Sequence, residues 1–474
     1  MSSRSKRRPA AAQPRALPRG QWEQLVLAVT FLRKEMFAHL HRHGNSRWQP
    51  LTLAMLAVLW SWGTSDQTLD GRFQVAAGLV ASWCDSVYVF TTYKGFIGAL
   101  ARWNDELLAI VQQALQRQMQ TLLCWNGRPM FGIDGTKVGV PWTDSTDRVL
   151  GQQTLRGRKK KKNKKKRGGA AAKPKSANSQ AHQEVRPQLL LTLVWHMTSG
   201  LPWSWKSSPV SGSERDDARG LLPSLPARSI LVCDAGFTGY ELWQEIIAAN
   251  HDFVIRIGSN VKLLKNLGWK VRFRGEFAFL WPEGQQQAGA APLVVRLTRF
   301  ATKRTTVWLA TSILDGRELN DKQLADIYRM RWGIEGWFRS LKQTFGRRTL
   351  RSRDAGHARC ELDWSIVGLG LIQLQGVQAL EAAGQDAHRL SEAEAIRVVR
   401  GTILHADFSV ECLPTLMARL QRAVLDTYKR TRPKQGKHIH RKRKHDTPGE
   451  PRIVDATPEQ QSLARQLQAA QSAA

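Results

Sequence analysis

Three acidic residues, far apart in the chain, sit where a carboxylate could work with others. They are Asp134 in "MFGIDGTKVGV", Asp234 in "SILVCDAGF" and Glu335 in "ADIYRMRWGIEGWFRSLKQTFG". Asp134 ends an apolar run and precedes Gly135, so taken alone it reads as a turn aspartate, because Asp-Gly is a strong hairpin signal. Asp234 closes a buried run before Ala-Gly, and alone it is equally a strand-end carboxylate or a loop residue. The third segment says more. Leu324, Ile327, Ile334, Phe338, Leu341 and Phe345 recur at helical spacing, with Asn320 and Gln323 as an N-terminal cap and Gly346 as a stop. Beside that stripe run Tyr328, Arg331, Glu335 and Lys342, separated by 3, 4 and 7 positions, spacings that keep all four on one helix face. A solvated face gives the same pattern, but an Arg and a Lys flanking an acid along the core border suit a phosphate-binding groove better. Gly333 and Gly336 point the same way, since a mid-helix Gly costs about 1 kcal/mol against Ala and usually marks close backbone approach.

These residues need elements to hold them. From Pro129 onward short apolar runs bounded by turns predict three strands, a helix over 214–222, a strand, a helix over 240–250 and a further strand. That order implies a mixed α/β sheet covered by helices. A second β-rich stretch over residues 260–318, containing "WKVRFRGEFAFLWP", "PLVVRLTRF" and "TTVWLATSI", reads as an insertion ahead of the helix that opens at Asn320. Residues 21–125 have helical periodicity and read as an N-terminal helical, DNA-binding domain. Within it, "FTTYKGFIGALARW" offers either a recognition helix led by Thr91, Thr92, Tyr93 and Lys94 or, more simply, an ordinary helix start with Thr caps. Residues 351–427 read as a helical C-terminal region.

Composition narrows the partners. The 474 residues carry a formal charge of +32, far beyond what solubility needs, and this points to a polyanion, most often nucleic acid. Residues 156–175 hold twelve Lys or Arg and no acid, and residues 429–444 hold nine more. Neither tract can form a core. Residues 1–20, the loop 156–182 and the basic tail 428–474 are therefore expected to be largely disordered. A membrane is the weaker reading, because the longest strongly apolar stretch, residues 51–62, falls well short of the roughly 20 residues a spanning helix needs. Five cysteines without metal-ligand spacing argue against a disulfide framework and for a reducing, cytoplasmic setting.

Tyr328, Arg331, Glu335 and Lys342 reproduce the Y-x2-R-x3-E-x6-K signature, and with "IDGTK" and "DAGFTGYELW" the stretch from Pro129 to Gly346 resembles the insertion-sequence four family of DDE transposases. The resemblance implies a ribonuclease H-like catalytic domain over residues 126–350, interrupted by the β-rich insertion. It also implies Asp134, Asp234 and Glu335 as catalytic residues and as ligands of Mg²⁺ or Mn²⁺, with two ions in the site. Hard cations take oxygen ligands, so distant acids suffice without His or Cys. By the same resemblance Tyr328, Arg331, Lys342 and Lys137 would contact DNA, and "VWLATS" nominates Trp308 as a platform for a flipped base. On pattern alone Trp308 is a buried strand residue. The expected activity is cut-and-paste transposition in a bacterial cell. The expected partners are double-stranded DNA, both transposon ends and target, and a second copy of the chain in a synaptic homodimer. Two other readings stay open: a transposase-derived DNA-binding protein without activity, and an ATP-using enzyme of the actin-like class suggested by "GIDGTKVGV". The Lys-rich tract between the first two predicted strands departs from the family pattern.

Overall fold

The computed structural model describes residues 32–40, 48–64, 66–83, 92–119, 127–151, 186–302, 305–404, 415–425 and 449–473. The basic arm, the two basic tracts and Thr91 lie outside the described residues. Two compact units emerge, one built from the N-terminal helices, residues 343–347 and the helices of residues 360–426, the other holding the sheet, the three acids and the C-terminal tail.

In the helical unit, Pro50 opens the buried helix Pro50–Trp62, where its missing N–H leaves no bond unmade. The helices Leu69–Trp83 and Tyr93–Met119 follow. They share a core with the C-terminal helices: Asn104 donates to Asp363 at 2.9 Å and accepts from the Trp364 indole at 3.0 Å, and the Trp62 indole donates to the Gly368 carbonyl at 2.9 Å. This unit runs to Arg117 and also takes in residues 360–426, which the sequence suggested as a separate C-terminal region, because these polar contacts span more than 250 positions and leave no periodicity to read. At the start of the third helix the Thr92 hydroxyl accepts from the Gly95 N–H, as a plain cap does, while Lys94 is exposed.

The other unit contains strands β1 (Met130–Gly139), β2 (Gln188–His196), β3 (Leu201–Pro209), β4 (Ile230–Cys233), β5 (Asp252–Ile257), β6 (Lys262–Lys265), β7 (Phe277–Leu280), β8 (Leu293–Ala301), β9 (Thr306–Thr311) and β10 (Arg452–Asp455). They form one sheet in the order β10-β6-β7-β8-β9-β5-β4-β1-β2-β3. β1 pairs antiparallel with β2 and parallel with β4, and β4 parallel with β5. β2 and β4 are buried almost end to end, which is why they read as continuous apolar runs rather than as alternation. Strands β6 to β9 continue this sheet through the antiparallel β5–β9 pair.

Two expectations change. The segment "WKVRFRGEFAFLWP" yields only β7, because its Lys and Arg side chains are exposed in an irregular loop, and the four-residue β6 before it had too short a pattern to register. The tail is not disordered throughout: β10 pairs parallel with the β6 edge, and the helix Pro458–Ala473 follows. Gln468 both donates to and accepts from the Lys270 backbone, and Gln461 donates to the Asn266 carbonyl at 3.0 Å. An open strand edge with unpaired backbone groups supplies the driving force.

Candidate active site

The register of the central strands puts the first two acids side by side. Ile133 pairs with Cys233 at the last position of the parallel β1–β4 ladder, so Asp134, inside β1, and Asp234, the first residue past β4, come next, at a lateral spacing of roughly 4.8 Å between backbones. Strand order reverses between β1 and β4, the crevice where open α/β sheets bind ligands. Asp234 turns its carboxylate back to accept the Gly236 N–H at 2.8 Å and so caps the one-turn helix Ala235–Phe237. Asp134 accepts the Gly135 N–H at 2.8 Å.

β1 alternates between the two faces of the sheet. Asp134 and Thr136 meet the segment carrying the YREK residues, whereas Gly135 points to the other face, toward Glu214. The expected capping box is present: Asn320 accepts from the Gln323 N–H, and Gln323 accepts from the Asn320 N–H, both at 2.9 Å. The helix is not continuous, however. It runs Asp321–Met330, tightens at Arg331 into two i→i+3 bonds, resumes as Trp332–Arg339 and ends in the π-helical turn Ser340–Thr344. Gly346, at φ 80°, lies just beyond that turn.

Arg331 therefore stands at a joint. Its guanidinium donates to Asp134 Oδ2 at 3.1 Å and to Glu335 Oε1 at 3.3 Å, binding the first and third acids together. Its Nε is buried without a partner, and the group lies over the rings of Tyr328 and Trp332. Tyr328 is buried, which pushes its phenol upward against the pull of Arg331. Lys342, carried by the π turn, donates to the Thr136 hydroxyl at 2.6 Å, and burial followed by the nearby Arg348 lowers its pKa. One-turn π insertions often re-aim side chains at functional sites. Lys137, on β1, is exposed.

The two helix glycines differ. A Cβ on Gly333 would fall 2.2 Å from the Trp195 ring of β2, so this glycine is what lets the helix lie flat on the sheet. Gly336 has nothing within 4 Å of such a Cβ, so the close approach expected there is absent. Trp308 in β9 is 8% exposed, with the Arg299 guanidinium 5.2 Å from its ring centroid and its indole N–H unpartnered. Its described contacts do not reach the three acids.

Burial is the main reason that the Asp134 carboxyl is pushed up to about 6; Arg331 opposes the rise, while Asp234 and Glu214 add to it by repulsion. Among the described residues no three Asp, Glu, His or Cys side chains converge closely enough to hold an ion in this pose. The positive charge between Asp134 and Glu335 is the Arg331 guanidinium. The donor set nevertheless fits a hard cation, being all oxygen and mutually repulsive.

Sequence reading missed Glu214 and Arg215, at the start of the helix Glu214–Leu221. Arg215 donates to the Gly236 carbonyl at 2.6 Å, in the turn that Asp234 caps. The signal lay in Gly135, whose missing side chain was read as part of a hairpin.

Comparison with known proteins follows this geometry. A family model described as "Transposase DDE domain" matches residues 126–367. The chain is 23% identical over 287 residues, 58% of each chain, to the transposase InsG for insertion sequence element IS4 of Escherichia coli (strain K12). The match thus spans less than two thirds of that relative's length. Among solved structures, the piggyBac transposase in a synaptic complex with hairpin DNA aligns over 86% of this chain and 84% of its own, at 12% identity and a TM-score of 0.37. The domain match covers half of the chain and includes all three acids, so the chain belongs to the DDE transposases, with the insertion-sequence four branch indicated by its helix signature and its Escherichia coli relative.

Proposed function

We propose that this protein is a cut-and-paste DNA transposase whose ribonuclease H-like core uses Asp134, Asp234 and Glu335 to bind divalent cations and to cleave and rejoin DNA. The observation that carries the reading is the register of β1 and β4, which sets two acids side by side, with Arg331 linking the first of them to the third. The β3-β2-β1-β4-β5 order, with β2 antiparallel to both of its neighbours, supports the ribonuclease H-like assignment.

Asp134, Asp234 and Glu335 would hold Mg²⁺ or Mn²⁺, one ion or two. Bound there, such ions supply Lewis acidity to the phosphodiester and lower the pKa of the attacking water or 3′-hydroxyl. The protein's own groups orient the DNA. Lys342 and Arg331 place cationic charge along one face of the acids, where a phosphate would lie, and Tyr328 fixes Arg331 from below. Arg331 donates to Asp134 here, and its planar guanidinium is a donor suited in shape to a phosphate oxygen at the same place. Lys137 and the basic tracts add sequence-independent attraction. Trp308 is assigned to stacking with an extruded base, and two copies of the chain to the synaptic complex.

The reading is tested with purified protein and linear duplexes carrying the element's terminal repeats. Cleavage at the repeat ends in Mg²⁺ or Mn²⁺ and none in EDTA is expected. Specific binding without cleavage under any divalent cation would favour a DNA-binding protein that has lost its activity.

A further inference from the structure

Glu214 is the first residue of a helix whose N-terminus is set by the Ser213 cap on the Asp216 N–H. Its carboxylate lies against the backbone of Gly135, next to Asp134: a Cβ at position 135 would fall 2.3 Å from both Cδ and Oε1 of Glu214. The glycine therefore forms a cradle that the carboxylate fills. The helix has little freedom to withdraw. One turn on, buried Asp217 accepts from the Thr192 hydroxyl at 3.2 Å and the Ser208 hydroxyl at 2.7 Å, and pairs with Lys206 at 3.2 Å, pinning the helix to β2 and β3. The adjacent Arg215 ties the same helix to the turn capped by Asp234.

That placement is unfavourable for an acid left to itself. Glu214 is half-buried, and its charge is repelled by Asp234, by Asp217 one turn on in its own helix, and by Asp134. Among the described residues it makes no ion pair and no side-chain hydrogen bond, and the exposed Lys137 is the cation whose field it feels. An acid at a helix N-terminus needs no special reason. An acid held in a glycine cradle on the far side of Asp134, unpaired and facing two others, does. The three assigned acids come from the β1–β4 edge and from the YREK helix; Glu214 approaches from the opposite face of the sheet.

We propose that Glu214 is a fourth carboxylate of the divalent-cation site, and that Gly135 is a positioning residue that admits it. The proposal rests on the cation-binding reading above. Cation occupancy turns the repulsion among four acids into attraction for a hard ion, which takes more oxygen ligands than three monodentate carboxylates offer.

The test is Mn²⁺ titration of the full-length protein without DNA, with free Mn²⁺ read by electron paramagnetic resonance. Glu214→Gln should weaken Mn²⁺ binding at least five-fold with a melting temperature in EDTA no lower than that of wild type, since it also relieves repulsion. Gly135→Ala should weaken it similarly in the wild-type background but not in a Glu214→Ala background, a coupling that general damage to the fold would not produce. Exposed Glu276→Gln should match wild type. If Asp234→Asn loses Mn²⁺ while Glu214→Gln stays within two-fold of wild type, the fourth-carboxylate proposal is overturned and the three-acid site stands. If Asp234→Asn also binds as wild type, the cation reading itself falls and this proposal with it.

Discussion

Substituting each of the two glycines of the YREK helix by alanine separates packing from helix propensity, because the two sites differ only in what lies above them. On propensity alone either change should stabilise by about 1 kcal/mol. At Gly336 nothing stands within 4 Å of the new Cβ, so Gly336→Ala should realise most of that gain. At Gly333 the Cβ would lie 2.2 Å from Trp195 Cη2 and within 3.0 Å of two further ring atoms. Ordinary carbon contacts need ~3.5 Å or more, so ring and helix must part by on the order of 1 Å. The ring is buried, so it cannot swing out into solvent without losing that burial. Overpacking of this kind typically costs about 1–3 kcal/mol, which outweighs the propensity gain. The two variants should therefore differ by about 2–3 kcal/mol, read as midpoint shifts of urea unfolding at constant slope. Gly333→Ala should also lose DNA cleavage, since the same displacement carries Arg331 and Glu335 away from Asp134. A Gly333→Ala protein as stable as Gly336→Ala would refute the docking of this helix on Trp195.

Asp134 gives a pH dependence of defined sign. Its carboxyl is raised from an ordinary 3.8 to about 6 in the fold, so its contribution to stability is fully present below pH 4 and lost as pH rises through 6. Asp134→Asn should accordingly be more stable than wild type at pH 8 by on the order of 2 kcal/mol, the two converging at pH 4 in chemical denaturation without divalent ions. For Trp308, 8% exposed, truncation to Ala should destabilise by about 3–5 kcal/mol, so Trp308→Phe is the informative change. A stacking role predicts near-normal first nicking and slowed double-strand cleavage for Trp308→Phe; equal rates for both steps would leave Trp308 as core only. Asn320→Ala removes half of the capping box and should cost about 1 kcal/mol in thermal unfolding, with no loss meaning that the cap is redundant.

What the sequence made legible was local. The capping residues Asn320 and Gln323, the apolar stripe and the strand end before Asp234 follow from patterns within about ten positions of each residue, whereas Asp134, read as ending its run at a turn, lies inside β1, which continues to Gly139. Contacts between distant residues were not legible. Asn104 finds Asp363, and β10 finds β6, through pairings whose partners carry no mutual signal in either segment. The break at Arg331 was hidden because its neighbours keep helical spacing; only the backbone bonds show it, at the residue whose guanidinium reaches Asp134 across the fold. Glu214 was hidden by the same logic. A single acid after a serine reads as a helix start, and only the position of Gly135 across the sheet shows what it faces. Gly336 shows the converse error, a residue type taken as a packing signal where the space is open.

The most direct test of the central claim is single-turnover cleavage of repeat-end duplex in Mg²⁺ by purified Asp134→Ala, Asp234→Ala and Glu335→Gln, with binding to the same duplex measured in parallel. Each variant should lose cleavage by at least a thousand-fold while holding the duplex within a few-fold of wild type, since a carboxylate that supports metal-assisted displacement contributes several kcal/mol to the transition state alone. Cleavage within ten-fold of wild type by any one of the three would contradict its place in the active site.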